Sequence, residues 1–163
     1  MPFGVVKLTT LGAAEAAAIG TARTAIRVSP GHMFNDLIDA NPLETHRALL
    51  DALPTGQMAY VHVMLPNAFS PQPNNAGDPD ALLPALRPHV KGALLAAGNL
   101  NLASASAALA SGLIQVAVFG RPFIANPDLV ARFAAGAPLA APREELFYTP
   151  GPEGYSDYPS LAA

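Results

Sequence analysis

The chain has 163 residues and a mass of 16.8 kDa, with 51% apolar residues, 13% charged residues and a mean hydropathy of +0.28. That suffices for one domain with a buried core and is too apolar for a disordered chain. A formal net charge of −3 gives no basic field for a polyphosphate backbone, so nucleic acid is not an expected partner, and the absence of cysteine excludes disulfides, thiolate nucleophiles and cysteine-ligated zinc.

Met1 to Gly20 is rich in alanine, but Glu15 interrupts the apolar run and Lys7 is the one early cation, so no export signal is expected. Every apolar stretch is broken short of the roughly 18 residues of a membrane-spanning helix. The expectation is a soluble cytoplasmic protein.

Leu11 to Ile19 has helix-forming composition and Gly20 follows as a stop. Thr24 to Val28 reads as a short buried strand, β-branched at Thr24, Ile26 and Val28, with Arg27 in its last turn and Pro30-Gly31 ending it. Pro42 suits a first helical turn, and Leu43 to Leu53 continues that helix. Ala59 to Leu65 is an apolar run broken only by His62, and Val61 and Val63 favour a strand. Pro66 to Asp80 holds four prolines, three asparagines and one glycine, a long irregular loop of the kind that often serves as a lid. Asp80 to Leu86 predicts a helix, and Gly92 to Ala97 a third strand ending at Gly98-Asn99. Ala103 to Leu109 is helical by composition and closed by Gly112. Leu113 to Phe119 is a fourth strand ending at Gly120-Arg121, Asn126-Pro127-Asp128 starts a helix over Leu129 to Ala134, and the tail from Pro138 is loop-like.

Near-continuous apolar strands separated by helices predict an α/β fold with a parallel sheet covered by helices. A closed (β/α)8 barrel uses about 250 residues, so four strand-helix units amount to half of one. Such a half leaves an inward apolar face, drawn from Val61, Val63, Leu95 and Val118 according to register, and two sheet edges.

Two strand ends share a pattern, Gly98-Asn99 and Gly120-Arg121. Glycine lets the backbone approach a ligand, amides near a helix start face outward, and Arg121 offers a cationic fork for phosphate; the alternative is a pair of tight turns. Arg27, if buried, needs either an anionic ligand or an ordinary salt bridge. His32 and Asn35 stand three apart but read as loop, His62 reads as a core histidine, and Asp36 and Asp39 read as loop or cap residues. His46 and His89 lack the partners of a metal site.

Ile26-Arg27-Val28-Ser29-Pro30-Gly31 with Phe34-Asn35-Asp36 resembles the fifth-strand segment of the old yellow enzyme family, the FMN-dependent ene-reductases. Ala110-Ser111-Gly112 and the run Val118-Phe119-Gly120-Arg121-Pro122-Phe123-Ile124-Ala125-Asn126-Pro127-Asp128-Leu129 are similar to its eighth-strand segment, and Phe147-Tyr148 with Glu153-Gly154-Tyr155-Ser156-Asp157-Tyr158-Pro159 to its C-terminal tail. The resemblance spans the chain from about Ala22 onward, in family order, and implies one partial barrel domain over residues 1–163, strands five to eight of a TIM (β/α)8 barrel, with 138–163 as its tail.

By that resemblance Arg27 contacts the flavin pyrimidine, Gly98, Asn99, Gly120 and Arg121 hold the FMN phosphate, and Phe34, Asn35 and Tyr148 face the substrate. The implied reaction passes a hydride from NADH or NADPH to FMN and on to an activated alkene. The family's substrate-polarising His-x-x-His or His-x-x-Asn pair and its proton-donating tyrosine belong to the fourth strand, outside the matched segment; His32 and Asn35 copy the spacing on another segment, and Leu37 stands where the tyrosine would be. No catalytic residue is therefore assigned, and the expected partner is an N-terminal barrel half or a second copy of the chain. The alternative is a non-catalytic remnant or a phosphate- or flavin-binding module.

Overall fold

The computed structural model describes residues 14–32, 39–66 and 79–161. It divides into two compact units, Met1–Val118 and Phe119–Ala163.

In the first unit a helix, α1, covers 14–19 and a 3-10 turn covers Thr21–Arg23. Then come β1 (Ala25–Val28), α2 (Pro42–Ala52), β2 (Tyr60–Met64), α3 (Pro79–Leu86), a 3-10 turn (Arg87–His89), β3 (Leu94–Ala97), α4 (Leu102–Ala110) and β4 (Val116–Val118). The four strands form one parallel sheet in the order β1-β2-β3-β4. Every expected strand is present; β1 and β3 start later than expected but end at Val28 and Ala97 as expected, and β2 and β4 are trimmed at both ends. β4 starts at Val116 rather than Leu113; just ahead of it, the Gln115 side-chain Oε1 accepts from the Leu94 N–H at 2.8 Å while the Gln115 backbone N–H donates to Leu94 O at 2.9 Å.

The register fixes the two faces. Val28, Val61, Val63, Leu94 and Ala96 pack with Leu49, Leu50 and Leu53 of the α2 region and Leu82, Leu83 and Leu86 of α3, and Leu50, Val61, Val63, Leu86 and Leu94 are at most 1% exposed. Burial of this aliphatic layer is the main stabilising contribution of the unit. The other face carries Arg27, His62, Leu95 and Val116 as one in-register row, followed by Met64, Ala97 and Val118. The expected inward face is thus corrected: Val61 and Val63 point to the helices, whereas Leu95 and Val118 lie on the opposite side, because side chains alternate along a strand.

Helix starts follow local chemistry. Asp39 is a loop residue ahead of α2 rather than its cap: the N-cap is Asn41, which makes no side-chain cap bond, and Asp39 Oδ1 accepts from Asn41 N–H at 2.9 Å and from the Thr45 hydroxyl at 3.2 Å, ahead of Pro42 in the first turn. α4 opens on a reciprocal capping box, with Asn101 Oδ1 accepting from Ser104 N–H at 2.9 Å and Ser104 Oγ accepting from Asn101 N–H at 3.0 Å.

The second unit holds α5 (Arg121–Ala125), α6 (Leu129–Ala135) and a 3-10 turn at Glu144–Leu146. α5 lies inside what was read as a strand-to-helix loop. Asn126-Pro127-Asp128 also acts differently from a simple helix start. Asn126, fully buried, donates to Pro122 O and Ala140 O and accepts from Ala140 N–H at 2.8 Å. Asp128 stands at the N-cap of α6 without capping it; its carboxylate instead binds Arg132 Nε at 2.7 Å and Leu161 N–H at 2.6 Å. Arg132, buried, donates further to Pro138 O and Pro159 O at 2.9 and 3.0 Å. The tail is irregular, as expected, yet fastened along its length.

Candidate functional site

At the C-terminal end of the sheet the chain makes a tight junction. Leu65 N–H donates to Ala97 O at 2.7 Å, and the Leu65 carbonyl oxygen accepts from His32 Nε2 at 3.1 Å. A Cβ on Gly98 would stand 2.1 Å from that same oxygen, and Gly98 and Asn99 have φ values of +90° and +52°. Glycine and asparagine are the residues that tolerate this backbone. The close approach of Leu65, the residue after β2, is by itself a reason for glycine at 98. His32, expected as half of a loop pair, is instead tied to the backbone after β2. Its companion Asn35, together with Phe34, Asp36 and Leu37, lies outside the described residues, as do residues 67–78 of the long loop.

Gly120 differs. Its φ is −99°, within reach of any residue, and a Cβ there would meet no atom within 4 Å. Nothing in the packing of the described residues requires glycine, and a cavity of about 280 Å³ opens beside it, lined by Phe123, Ile124, Pro127, Tyr155 and Tyr158. The tail side of this cavity is held by Arg143, which pairs with Asp157, lies 4.8 Å from the Tyr158 ring centroid and donates its backbone N–H to Tyr158 Oη at 2.7 Å. The guanidinium of Arg121 lies 5.9 Å from the Phe147 ring centroid, a cation–π arrangement. The next residue, Tyr148, is 93% exposed. The Phe147 contact left no periodic signal, since the two residues are 26 positions apart on irregular chain.

On the open face of the sheet, Arg27 of β1 stands in register with His62 of β2. Arg27 is exposed rather than buried and makes no ion pair with a described carboxylate, so neither requirement attached to a buried arginine applies within this chain. His62 is not the satisfied core histidine expected: its Nε2 is buried and has no hydrogen-bond partner among the described residues. A buried group left in that state costs about 1–3 kcal/mol. Desolvation, and after it the Arg27 charge, hold the His62 pKa below its ordinary value, so the ring is neutral at pH 7. His46 bonds to Pro42 O at 2.6 Å and His89 to Asp51 at 2.7 Å. Burial lowers the His46 pKa despite the raising effects of Pro42 and Asp39.

A parallel sheet with helices on one face and glycine turns at strand ends defines part of a (β/α)8 barrel. The chain belongs to the NADH:flavin oxidoreductase / NADH oxidase family, whose model matches residues 11–140. It is 39% identical over 144 residues to a probable flavin mononucleotide-dependent alkene reductase of Leishmania infantum, covering 88% of this chain and 38% of that protein. It is 34% identical over 160 residues to 12-oxophytodienoate reductase 7 of Oryza sativa subsp. japonica, covering 91% and 41%. Among solved structures, the old yellow enzyme from Trypanosoma cruzi matches with a TM-score of 0.84 at 26% identity, over 97% of this chain and 40% of that one. Morphinone reductase in complex with tetrahydroNAD, an N189A mutant, matches with a TM-score of 0.77 at 34% identity, over 93% and 40%. The chain therefore spans about two fifths of the length of these relatives. Among the described residues no helix is long and apolar enough to cross a membrane.

Proposed function

We propose that this chain supplies strands five to eight of an old-yellow-enzyme barrel, one partial barrel domain that binds FMN and serves as an alkene reductase when the other strands complete it. Those strands come from an N-terminal polypeptide segment or from a second copy of this chain. The observation that carries the reading is Gly120, a glycine that no described residue's packing requires, lining open space and followed in the chain by Arg121. The residues present fit a phosphate: bare backbone at Gly120 admits close approach, and Arg121 offers a charge-assisted fork.

In this reading, by the family resemblance, Gly120 and Arg121 are phosphate-binding residues of FMN, and so are Gly98 and Asn99. Bound FMN would supply the hydride-transfer chemistry between NADH or NADPH and an activated alkene. Arg27, solvated and set on the inner face, meets the pyrimidine ring, where its fixed positive charge stabilises developing negative charge. Phe34, Asn35 and Tyr148 meet the substrate. The carbonyl-polarising pair comes from the completing strands, so this chain's part is to bind and orient.

The test is gel filtration of the full chain with FMN, alone and with the first four barrel strands of the Trypanosoma cruzi old yellow enzyme as a second polypeptide. Flavin absorbance co-eluting with protein only in the mixture supports a complementing half. Co-elution with a dimer of this chain supports the second copy. Free FMN in both samples overturns the reading.

A further inference from the structure

The in-register row Arg27, His62, Leu95 and Val116 places one residue from each strand on the face turned away from the helices. Leu95 and Val116 are apolar and ask for no hydrogen bond. Arg27 is exposed and keeps its water. His62 is the exception, with a buried Nε2 that no described residue satisfies. Buried polar atoms in folded proteins are paired in the great majority of cases. A partner from the helical side is excluded, because the neighbouring positions Val61 and Val63 point there and are sealed among leucines. The His62 ring as a whole is only partly covered, so a partner on the open face would reach Nε2 once the ring turned about its Cβ–Cγ bond.

We propose that His62 is a polar contact across the barrel interior, donating a hydrogen bond to an oxygen acceptor, a carboxylate or amide carbonyl, on an inward-pointing side chain of the completing strands. The inference rests on the half-barrel reading. The register neighbour chooses the partner's chemistry: beside the Arg27 guanidinium a second cation is repelled and an oxygen acceptor is favoured. A neutral imidazole has one N–H to give. The contact would mark one alignment of the two halves, since a slip by one residue at the seam turns the partner strand's acceptor away from the interior while His62 stays in place.

The test fuses the first four barrel strands of the Trypanosoma cruzi old yellow enzyme ahead of this full chain and compares His62→Leu and His62→Gln in the fused protein and in the 163-residue chain. His62→Leu should lower the melting temperature of the fused barrel by about 2–4 °C. In the chain alone it should leave the melting temperature unchanged or raised, because an unpaired polar atom is removed. His62→Gln, which keeps a donor, should recover at least half of the loss in the fused barrel. FMN retention by the unmutated fusion reports separately on the half-barrel reading, and its failure overturns that reading. Retained FMN with an unchanged or raised melting temperature in His62→Leu overturns the His62 contact alone. Equal losses in both proteins also overturn it, assigning His62 to the sheet's own packing. If the chain alone melts without cooperativity, the imidazole resonances of the fusion decide: a slowly exchanging His62 N–H supports the contact, and one lost to solvent exchange overturns it.

Discussion

The carbonyl oxygen of Leu65 occupies the space into which any side chain on Gly98 would grow, 2.1 Å from the ideal Cβ position. The two residues end adjacent strands, and the same oxygen also receives His32 Nε2. Gly98→Ala must push β2 from β3 or distort a backbone already at φ +90°. The backbone strain alone predicts a loss of about 1–3 kcal/mol. Urea denaturation checks it; a loss below about 0.5 kcal/mol, the scale of a neutral surface change, would show that the junction yields.

Arg121→Ala should weaken FMN binding to the completed barrel by about 1.5–3 kcal/mol, the scale of a lost charge-assisted contact. Arg121→Lys should recover part of this, keeping the charge but not the fork. Riboflavin has no phosphate and should bind parent and Arg121→Ala about equally. Fluorescence quenching titrations separate the cases: equal losses for both flavins would reduce Arg121 to a structural role through Phe147.

The Asn126 side chain makes three hydrogen bonds from a fully buried site, two of them to Ala140. Asn126→Ala strips the Ala140 backbone of both partners and should cost about 2–3 kcal/mol. Limited proteolysis should then cut near Ala140 at protease concentrations that leave the parent intact.

Acid should release the tail at Leu161 before it unfolds the sheet. The Asp128 pKa is lowered, first by the Leu161 N–H and then by Arg132. A carboxylate with a depressed folded pKa contributes stability above its unfolded value, near about 4, and loses it as pH falls through the folded value. The protection factor of the Leu161 amide should therefore fall as pH drops below about 4 toward the depressed folded value, and in Asp128→Asn it should already be low at pH 7. Histidine produces a separate limb at higher pH. His46 and His62 both have lowered pKa values, with desolvation first in each case, so the unfolded chain takes up protons before the folded one does. Stability should be intact above about pH 6.5 and fall as pH drops through the depressed folded values. The urea midpoint followed from pH 8 to pH 5 checks this, and His46→Gln should flatten part of the slope.

β1 and β4 each have one neighbour in the sheet. Unpaired edges and an open row containing Leu95 and Val116 should drive association of the chain by itself. Light scattering at tens of micromolar should show species larger than a monomer; a monodisperse monomer would contradict the expectation.

The sheet was legible because β-branched and aliphatic residues cluster between glycine and proline stops, and all four strands fall inside the stretches so marked. What the pattern did not decide was which face is which. A continuous run such as Ala59 to Leu65 has no alternation to read, and Val61 and Val63 turned out to face the helices. α5 was hidden because Arg121-Pro122-Phe123-Ile124-Ala125 is too short to show a helical period, although proline near its start was a usable sign. The Asn101-x-x-Ser104 spacing would have placed the start of α4 one residue earlier. Of the site, Gly98 and Gly120 looked alike in sequence, and only the space around each separates a packing glycine from an open one. The fastening of the tail by Asn126, Asp128 and Arg132 joins residues up to 33 positions apart, a distance over which local pattern carries no information.

The strand order β1-β2-β3-β4 means that each strand lies beside the one synthesised just before it. During translation no strand waits for a later one to be inserted between it and its neighbour, so the sheet can lengthen sideways as the ribosome delivers it. Each sequential strand-helix unit closes against structure already formed, with a short loop-closure search. An architecture assembled by lateral addition can also be divided between two units without breaking the order within either piece. A gene cut at such a joint would still encode a segment that knows its own neighbours.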